Sequence, residues 1–282
     1  MQWHYLGSPY YPLAIRCLDA VVSTRVLTPP EDYGGPGFVE GLTLLPRYMA
    51  PLLHPPPPPY FGREAVRAKM NFGEHDLVIA CFNQVKKIEA PLFQVWAQVL
   101  VRVAAAASQG SGGSAYLWLP LSTGVDARRH LEAEAASAGL PPASIVFSPR
   151  VSSRDEHLWR LSAADIALDT TRYSAGSVAL EALGEGVPLV TLAGYRTVAA
   201  RQGTAVASAH PNQQLLIAHS FKEYADVSVA LLTERTWAGG RVNGDEGGAS
   251  LARSLERAAT AAVEMKRAFG AAGKPRHLFL SS

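Results

Sequence analysis

The stretch DTTRYSAGSVALEALGEGVP, residues Asp169–Pro188, passes from an acidic strand end through small and hydroxyl residues into an apolar helix. Ser174, Gly176 and Ser177 precede that helix, where the first backbone N–H groups lack intrahelical acceptors and the helix end is positive. Glycine lets a ligand approach the backbone closely. Glu181 lies four positions after Ser177, on the same helix face, where a carboxylate suits a ribose or sugar hydroxyl. The same letters also fit a capped core helix with Glu181 paired to an arginine.

The surrounding chain supplies the context. Upstream, LVIACF (Leu77–Phe82) is a short apolar run of the kind that forms a buried strand. PLFQVWAQVLVRV (Pro91–Val103) spaces its apolar residues at three and four behind a helix-starting proline. A Gly/Ser loop follows at Ser108–Ser114, then the strand AYLWLPL and a helix through ARRHLEAEAASAG that stops on Gly139. IVFS, a helix around DEHLWRLSAA, DIALD, the helix Ser177–Leu183 and the strand PLVTL continue the alternation. Strands and helices alternating at this spacing predict right-handed βαβ units and a Rossmann-like, doubly wound parallel sheet of the α/β class.

Outside this block the patterns change. The first fifty residues offer one strand, Leu18–Ser23, among Pro-, Gly- and Tyr-rich segments. Pro55–Pro59 reads as a stiff extended connector, because proline continues neither a helix nor a sheet ladder. Beyond Gly194 the expectation is helical. FKEYADVSVALLTE and Ala249–Phe269 are amphipathic, divided by a Gly-rich insert at Ala238–Gly248.

Bulk composition narrows the function classes. A formal net charge of +2, with 48% hydrophobic and 18% charged residues, gives no basic footprint for nucleic acid or a membrane surface. No run is read as approaching the roughly 20 apolar residues of a membrane span, and no signal peptide is evident at the start. Cys17 and Cys81 are far apart, in no metal or redox spacing.

In an open parallel sheet, ligands sit outside the carboxyl ends of the strands. One such turn holds Asn83, Gln84, Val85, Lys86 and Lys87, where a lysine can neutralise a phosphate and an amide can orient one. Two solvated lysines starting a surface helix explain it as well. A second, SPRVSSRDEHLWR (Ser148–Arg160), caps a helix at Ser152 or Ser153 and spaces Arg154, His157 and Arg160 three apart on one face. That row is either an anion clamp or a solvated face. GYRTVAARQG adds Arg196 and Arg201 as a weak fourth signal. No Walker loop, GxGxxG, HExxH or GxSxG occurs.

Taken in order, ACFNQVKKI, VWAQVLVRV with YLWLPL, LEAEAASAGLPPASIVFSPR, DEHLWRLSAADIALDT and EALGEGVPLVTLAG resemble the protein O-GlcNAc transferase and SPINDLY-type family, over roughly residues 70–235. YLGSPYY, DAVVSTRVLTPPED and EGLTLLPRYM resemble the segment that precedes this block. The resemblance implies the C-terminal, donor-binding half of a GT-B glycosyltransferase, which moves a sugar from UDP-GlcNAc, or from GDP-fucose in the SPINDLY branch, to Ser or Thr of intracellular proteins. It implies Lys87 at the leaving diphosphate together with Gln84, and Arg154, His157 and Arg160 along the nucleotide pocket. Ser174, Gly176 and Ser177 fall at the donor turn, and Glu181 on the ribose. No metal or other cofactor is expected, nor a nucleic-acid or membrane partner. The expected location is cytoplasmic or nuclear.

Two positions depart from the family pattern. The O-GlcNAc branch reads like NGHTT where this chain has SAGSV, so Gly176 replaces a histidine and Val178 a threonine. The SPINDLY form YAGTTTT is nearer to YSAGSVA but carries two more hydroxyls. Each neutral hydrogen bond lost weakens binding by about 0.5–1.5 kcal/mol. The expected layout is a remnant of the preceding half at 1–54, a Pro-rich linker at 55–68, the nucleotide-sugar domain at 69–235 and the insert with a C-terminal helix at 236–282. Too few residues precede Lys69 for the family's first half or its TPR repeats, so a fragment is expected. A catalytically inactive binding or interaction module is the alternative.

Overall fold

In the computed structural model, residues 3–5, 18–32, 41–46, 63–109, 112–121, 125–194, 197–210, 213–233 and 277–279 are described. Ten strands and seven α-helices occur among them: β1 (Trp3–Tyr5), β2 (Ala20–Thr24), β3 (Gly41–Leu45), α1 (Arg63–Lys69), β4 (Leu77–Ala80), α2 (Ala90–Gln109), β5 (Ala115–Pro120), α3 (Val125–Ser137) and β6 (Ile145–Ser148). They continue with α4 (Arg154–Ser162), β7 (Ile166–Leu168), α5 (Ser177–Gly184), β8 (Leu189–Leu192), α6 (Val198–Ala207), β9 (Ile217–Ala218), α7 (Phe221–Thr233) and β10 (His277–Phe279).

The larger sheet is fully parallel, in the order β6-β5-β4-β7-β8-β9. The chain builds outward from β4 to β6 on one side, then returns to β7 on β4's other flank and builds outward again. That reversal defines a doubly wound Rossmann-like sheet and places its switch point between β4 and β7. Strand interiors are apolar because both faces are covered: Val78, Ile79, Ala80, Leu117, Trp118, Leu119, Ile166, Ala167 and Leu168 are buried.

α2 covers one face. Its Leu92, Phe93, Trp96, Val99, Leu100 and Val103 are buried, Gln94 and Gln98 are exposed, and it packs against α7. Contrary to the expectation that no run approaches a membrane span, Ala90–Ser108 of α2 is long and apolar enough by length and composition. Half of its apolar window is buried inside the protein, which accounts for that composition by core packing. α3 ends as expected, with Gly139 in the left-handed region at φ +77°.

Several expectations need correction. Beyond Gly194 the chain is not only helical: β9 adds a sixth strand, pairing Thr191 with Ile217 and Leu192 with Ala218. The first fifty residues hold three strands rather than one, and β1, β2, β3 and β10 form a separate parallel sheet. The last residues of the expected 55–68 linker are helical, because α1 begins at Arg63. Arg67, almost fully buried, donates to the carbonyls of Ala163, Gly73 and Asp76, and both Arg63 and Arg67 pair with Asp165. α1 is thereby fastened to the amino end of β7, at the end of the sheet away from the strands' carboxyl ends. The Pro55–Pro59 connector, Arg196, the Ala238–Gly248 insert and the Ala249–Phe269 helix lie outside the described residues.

Candidate functional site

The carboxyl ends of β4 and β7 hold the deepest polar network. Asp169, one residue beyond β7, is fully buried. Its Oδ1 accepts from the backbone N–H of Thr170 (2.7 Å) and Ala175 (2.7 Å) and from Asn83 Nδ2 (3.2 Å). Its Oδ2 accepts from Thr191 Oγ1 (2.8 Å). Burial pushes this carboxyl up to about 6, although those bonds and nearby Lys87 oppose the rise. The Asp169 carbonyl accepts from Tyr224 Oη (2.9 Å), which itself accepts from Trp96 Nε1 (3.3 Å). The turn after β7 is therefore shaped around a buried acid and latched by α7.

Lys87 ends a single 3-10 turn, Val85–Lys87, that leaves β4 at the switch point. Its ammonium lies 3.6 Å from the centroid of the Tyr173 ring, 3.4 Å from the Ser174 carbonyl and 3.5 Å from Asn83 Oδ1. All three are neutral partners at long range. Burial lowers its pKa, and Asp169 pulls the other way. A half-buried cation held loosely at the switch point can meet an incoming anion without first breaking a short ion pair. Gln84 is exposed on the approach to the same turn.

α5 begins three residues after Ser174, whose carbonyl Lys87 approaches. Ser177 is exposed in its first turn, and Gly176 occupies the cap position with no side chain to satisfy the free N–H groups. Ser174 turns the other way. Its hydroxyl donates to the Ala199 carbonyl (2.9 Å) and accepts from the Gly203 N–H (3.0 Å), so it fastens the turn to α6 rather than facing a ligand.

The row Arg154, His157 and Arg160 does not act as one clamp. His157 Nε2 lies 3.3 Å from Glu181 Oε2, which joins α4 to α5. Arg160 donates from Nη1 to Ser148 Oγ and the Pro149 carbonyl, both at 2.7 Å, and approaches His157 Nδ1 at 3.3 Å. Its guanidinium lies over Phe82, so it braces the end of β6. Arg154 is half-buried in the first turn of α4, whose cap is Ser153. The alternative in which Glu181 pairs with an arginine gives way to a histidine partner. Asn83, Asp169 and Tyr173 are the site residues left out of the expected set. The acidic residue closing β7 was the one signal for them.

Fold and crevice together define a class: a Rossmann-like α/β domain whose switch point gathers a cation, an open helix start and a carboxylate–imidazole pair. The chain belongs to glycosyl transferase family 41, whose sequence pattern matches residues 64–239, more than half of its length.

The chain is 29% identical over 168 residues to a UDP-N-acetylglucosamine–peptide N-acetylglucosaminyltransferase of Caenorhabditis elegans. It is 28% identical over 165 residues to the probable enzyme of the same name, SEC, of Arabidopsis thaliana. The matched stretches cover 60% and 58% of this chain but 14% and 16% of those relatives, so the chain spans a small part of their length. Among solved structures, it superposes on the O-GlcNAc transferase of Thermobaculum terrenum with a TM-score of 0.73 and 23% identity, covering 95% of this chain and 47% of that one. A sucrose-phosphate synthase from Thermosynechococcus elongatus gives 0.58 and 19%, covering 90% and 59%. These likenesses establish the fold as one half of a GT-B glycosyltransferase.

Proposed function

We propose that this chain holds the nucleotide-sugar donor of a protein O-glycosyltransferase, with UDP-GlcNAc as donor and Ser or Thr of intracellular proteins as acceptors. The observation that carries this is Lys87, loosely held at the switch point beside the turn that leads into α5. There its ammonium stabilises the negative charge that builds on the nucleoside diphosphate as the sugar–phosphate bond breaks. Gln84 and the Ser177 turn orient the diphosphate, and Glu181, held by His157, takes the ribose hydroxyls. Arg154 lines the pocket and Arg160 shapes its wall. Lysine and backbone donors do the charge work on the leaving diphosphate, so the proposed reaction requires no metal; inversion of the sugar belongs to the same proposal. Residues 69–235, with α1 from Arg63 fastened to them, form the donor domain, residues 1–54 belong to the other half, and the site of action is the cytoplasm or nucleus.

A second reading is a GDP-fucose-using O-fucosyltransferase, or a nucleotide-sugar-binding or interaction module without transfer. It is favoured by the inward turn of Ser174 and by Gly176 and Val178, which present no polar side chain to a donor. Calorimetry of the 282-residue chain with UDP-GlcNAc and GDP-fucose in parallel tests the proposal. Heat with UDP-GlcNAc, weakened at least tenfold by Lys87→Ala, is the expected result, since a hydrogen bond to a charged group is worth about 1.5–3 kcal/mol. Absence of heat with both donors, or titrations unchanged by Lys87→Ala, overturns it.

A further inference from the structure

Asn83 lies three residues beyond the end of β4 and is 4% exposed. Its amide sits between two opposite charges. From Nδ2 it donates to Asp169 Oδ1 (3.2 Å) and to Thr170 Oγ1 (2.9 Å). The Thr170 hydroxyl sends its own proton to the Tyr173 carbonyl (2.7 Å), so towards Asn83 it acts as an acceptor. An ionised carboxylate likewise only accepts. Both hydrogens of Nδ2 are thus committed, and Oδ1 is left turned to the Lys87 ammonium at 3.5 Å.

Charge fixes this orientation. A flipped amide would set Oδ1 against the Asp169 carboxylate and Nδ2 against the ammonium, two repulsions at once. As it stands, the positive end of the amide dipole meets the acid and the negative end meets the cation. Serving Asp169 and Thr170 uses only the Nδ2 end. The remaining oxygen is on a buried side chain, and a buried acceptor without a donor is costly. Among the described residues, Lys87 supplies that donor. The contact is long, and so is the one from the ammonium to the Ser174 carbonyl at 3.4 Å. Two long contacts confine the ammonium without tying it up. Thr170, Tyr173 and Ser174 all belong to the turn after β7, so one turn both anchors Asn83 and receives Lys87.

We infer that Asn83 is a positioning residue of sugar transfer: anchored by Asp169 and Thr170, its carbonyl confines the Lys87 ammonium to the switch point, where the leaving diphosphate meets it. Asn83 acts through Lys87 and requires no contact of its own with the nucleotide. This rests on the nucleotide-binding reading above and deepens it.

The test uses the 282-residue chain, Asn83→Leu, which keeps the shape of the amide without its polar atoms, Lys87→Ala and the double variant. Calorimetric titration at about pH 8, where Asp169 is ionised, compares UDP and GDP with uridine and guanosine. Asn83→Leu is expected to weaken the preferred diphosphate about threefold to tenfold and to leave its nucleoside unchanged. Added to Lys87→Ala, it causes less than about a twofold further loss, because the ammonium it places is gone. NMR of the chain labelled with 13C at lysine Cε follows Lys87 itself. Loss of the carbonyl acceptor withdraws support from the charged form, so the Lys87 titration moves to lower pH in Asn83→Leu. The ionisable groups that face Lys87, Asp169 beyond β7, Cys81 just beyond β4 and the adjacent Lys86, are common to both proteins.

Diphosphate affinity unchanged by Asn83→Leu overturns the inference. So does an equal loss of nucleoside affinity, a loss that adds in full to that of Lys87→Ala, or an unmoved Lys87 titration. Should Asn83→Leu not fold, Thr170→Val, which removes one anchor and keeps the amide, is expected to weaken the diphosphate about twofold to fivefold, and unchanged affinity again refutes. If the unsubstituted chain binds neither diphosphate, the nucleotide-binding reading falls, and the NMR titration still decides whether Asn83 places Lys87. If Lys87→Ala weakens binding and Asn83→Leu does not, the inference falls alone.

Discussion

Asp169→Asn tests the acid beneath the site. Asparagine keeps an oxygen for the Thr170 and Ala175 N–H groups and the Asn83 amide, and its own amide meets Thr191, whose hydroxyl accepts as readily as it donates. Geometry is preserved while the titration is removed. In the folded protein burial raises the Asp169 carboxyl from its ordinary 3.8 to about 6. The folded state therefore holds this proton more tightly than the unfolded chain does. The associated stability is fully present below about 3.8 and is lost as the pH rises through about 6. The span between those values, at about 1.4 kcal/mol per pH unit, amounts to about 3 kcal/mol. Urea denaturation of both proteins from about pH 4 to about pH 7 measures it. The stability of the parent relative to Asp169→Asn is expected to fall by most of that amount across the window. Two curves that stay parallel, or a difference that grows in the parent's favour, refute the account.

Two further outcomes separate structure from binding. Ser174→Ala leaves the Gly203 N–H without its hydroxyl acceptor and is expected to lower stability by about 1–3 kcal/mol in urea titrations. Its effect on nucleotide affinity should be smaller than that of Lys87→Ala. Arg67→Met removes the donor to the carbonyls of Ala163, Gly73 and Asp76 and one of the two arginines that pair with Asp165, and is expected to lower stability by about 1–3 kcal/mol, measured in the same way. Nucleotide affinity of the folded fraction should be retained, since Arg67 lies at the amino end of β7, away from the strands' carboxyl ends.

The alternation of strands and helices was legible because each buried strand is a short apolar run and each helix carries its own stop, as at Gly139. β9 was hidden because two residues carry no period. β1 and β3 were hidden because partners distant in sequence, not local pattern, stabilise them. At the site, Lys87, Ser177 and Glu181 fall around the switch point as their places at strand and helix ends suggested. Ser174 illustrates why the remainder was not legible: a hydroxyl in a turn has the same letter whether it faces a ligand or a neighbouring helix. Arg67, Arg160 and Arg201 make the same point for charge. The letter does not tell burial or partner: Arg67 and Arg201 are buried and Arg160 braces a strand end; Arg201 pairs with Asp32 near the smaller sheet.

The latch through Tyr224 has a consequence for how this domain is made. Trp96 and Tyr224 stand 128 positions apart, and the Tyr224 hydroxyl also closes on the carbonyl of Asp169. On the ribosome, the α2 side of the core and the end of β7 emerge well before the residue that joins them. Until α7 has cleared the exit tunnel, Trp96 lacks its acceptor and the turn around Asp169 lacks its brace. A recombinant piece intended to retain this crevice must therefore run through Thr233, the end of α7.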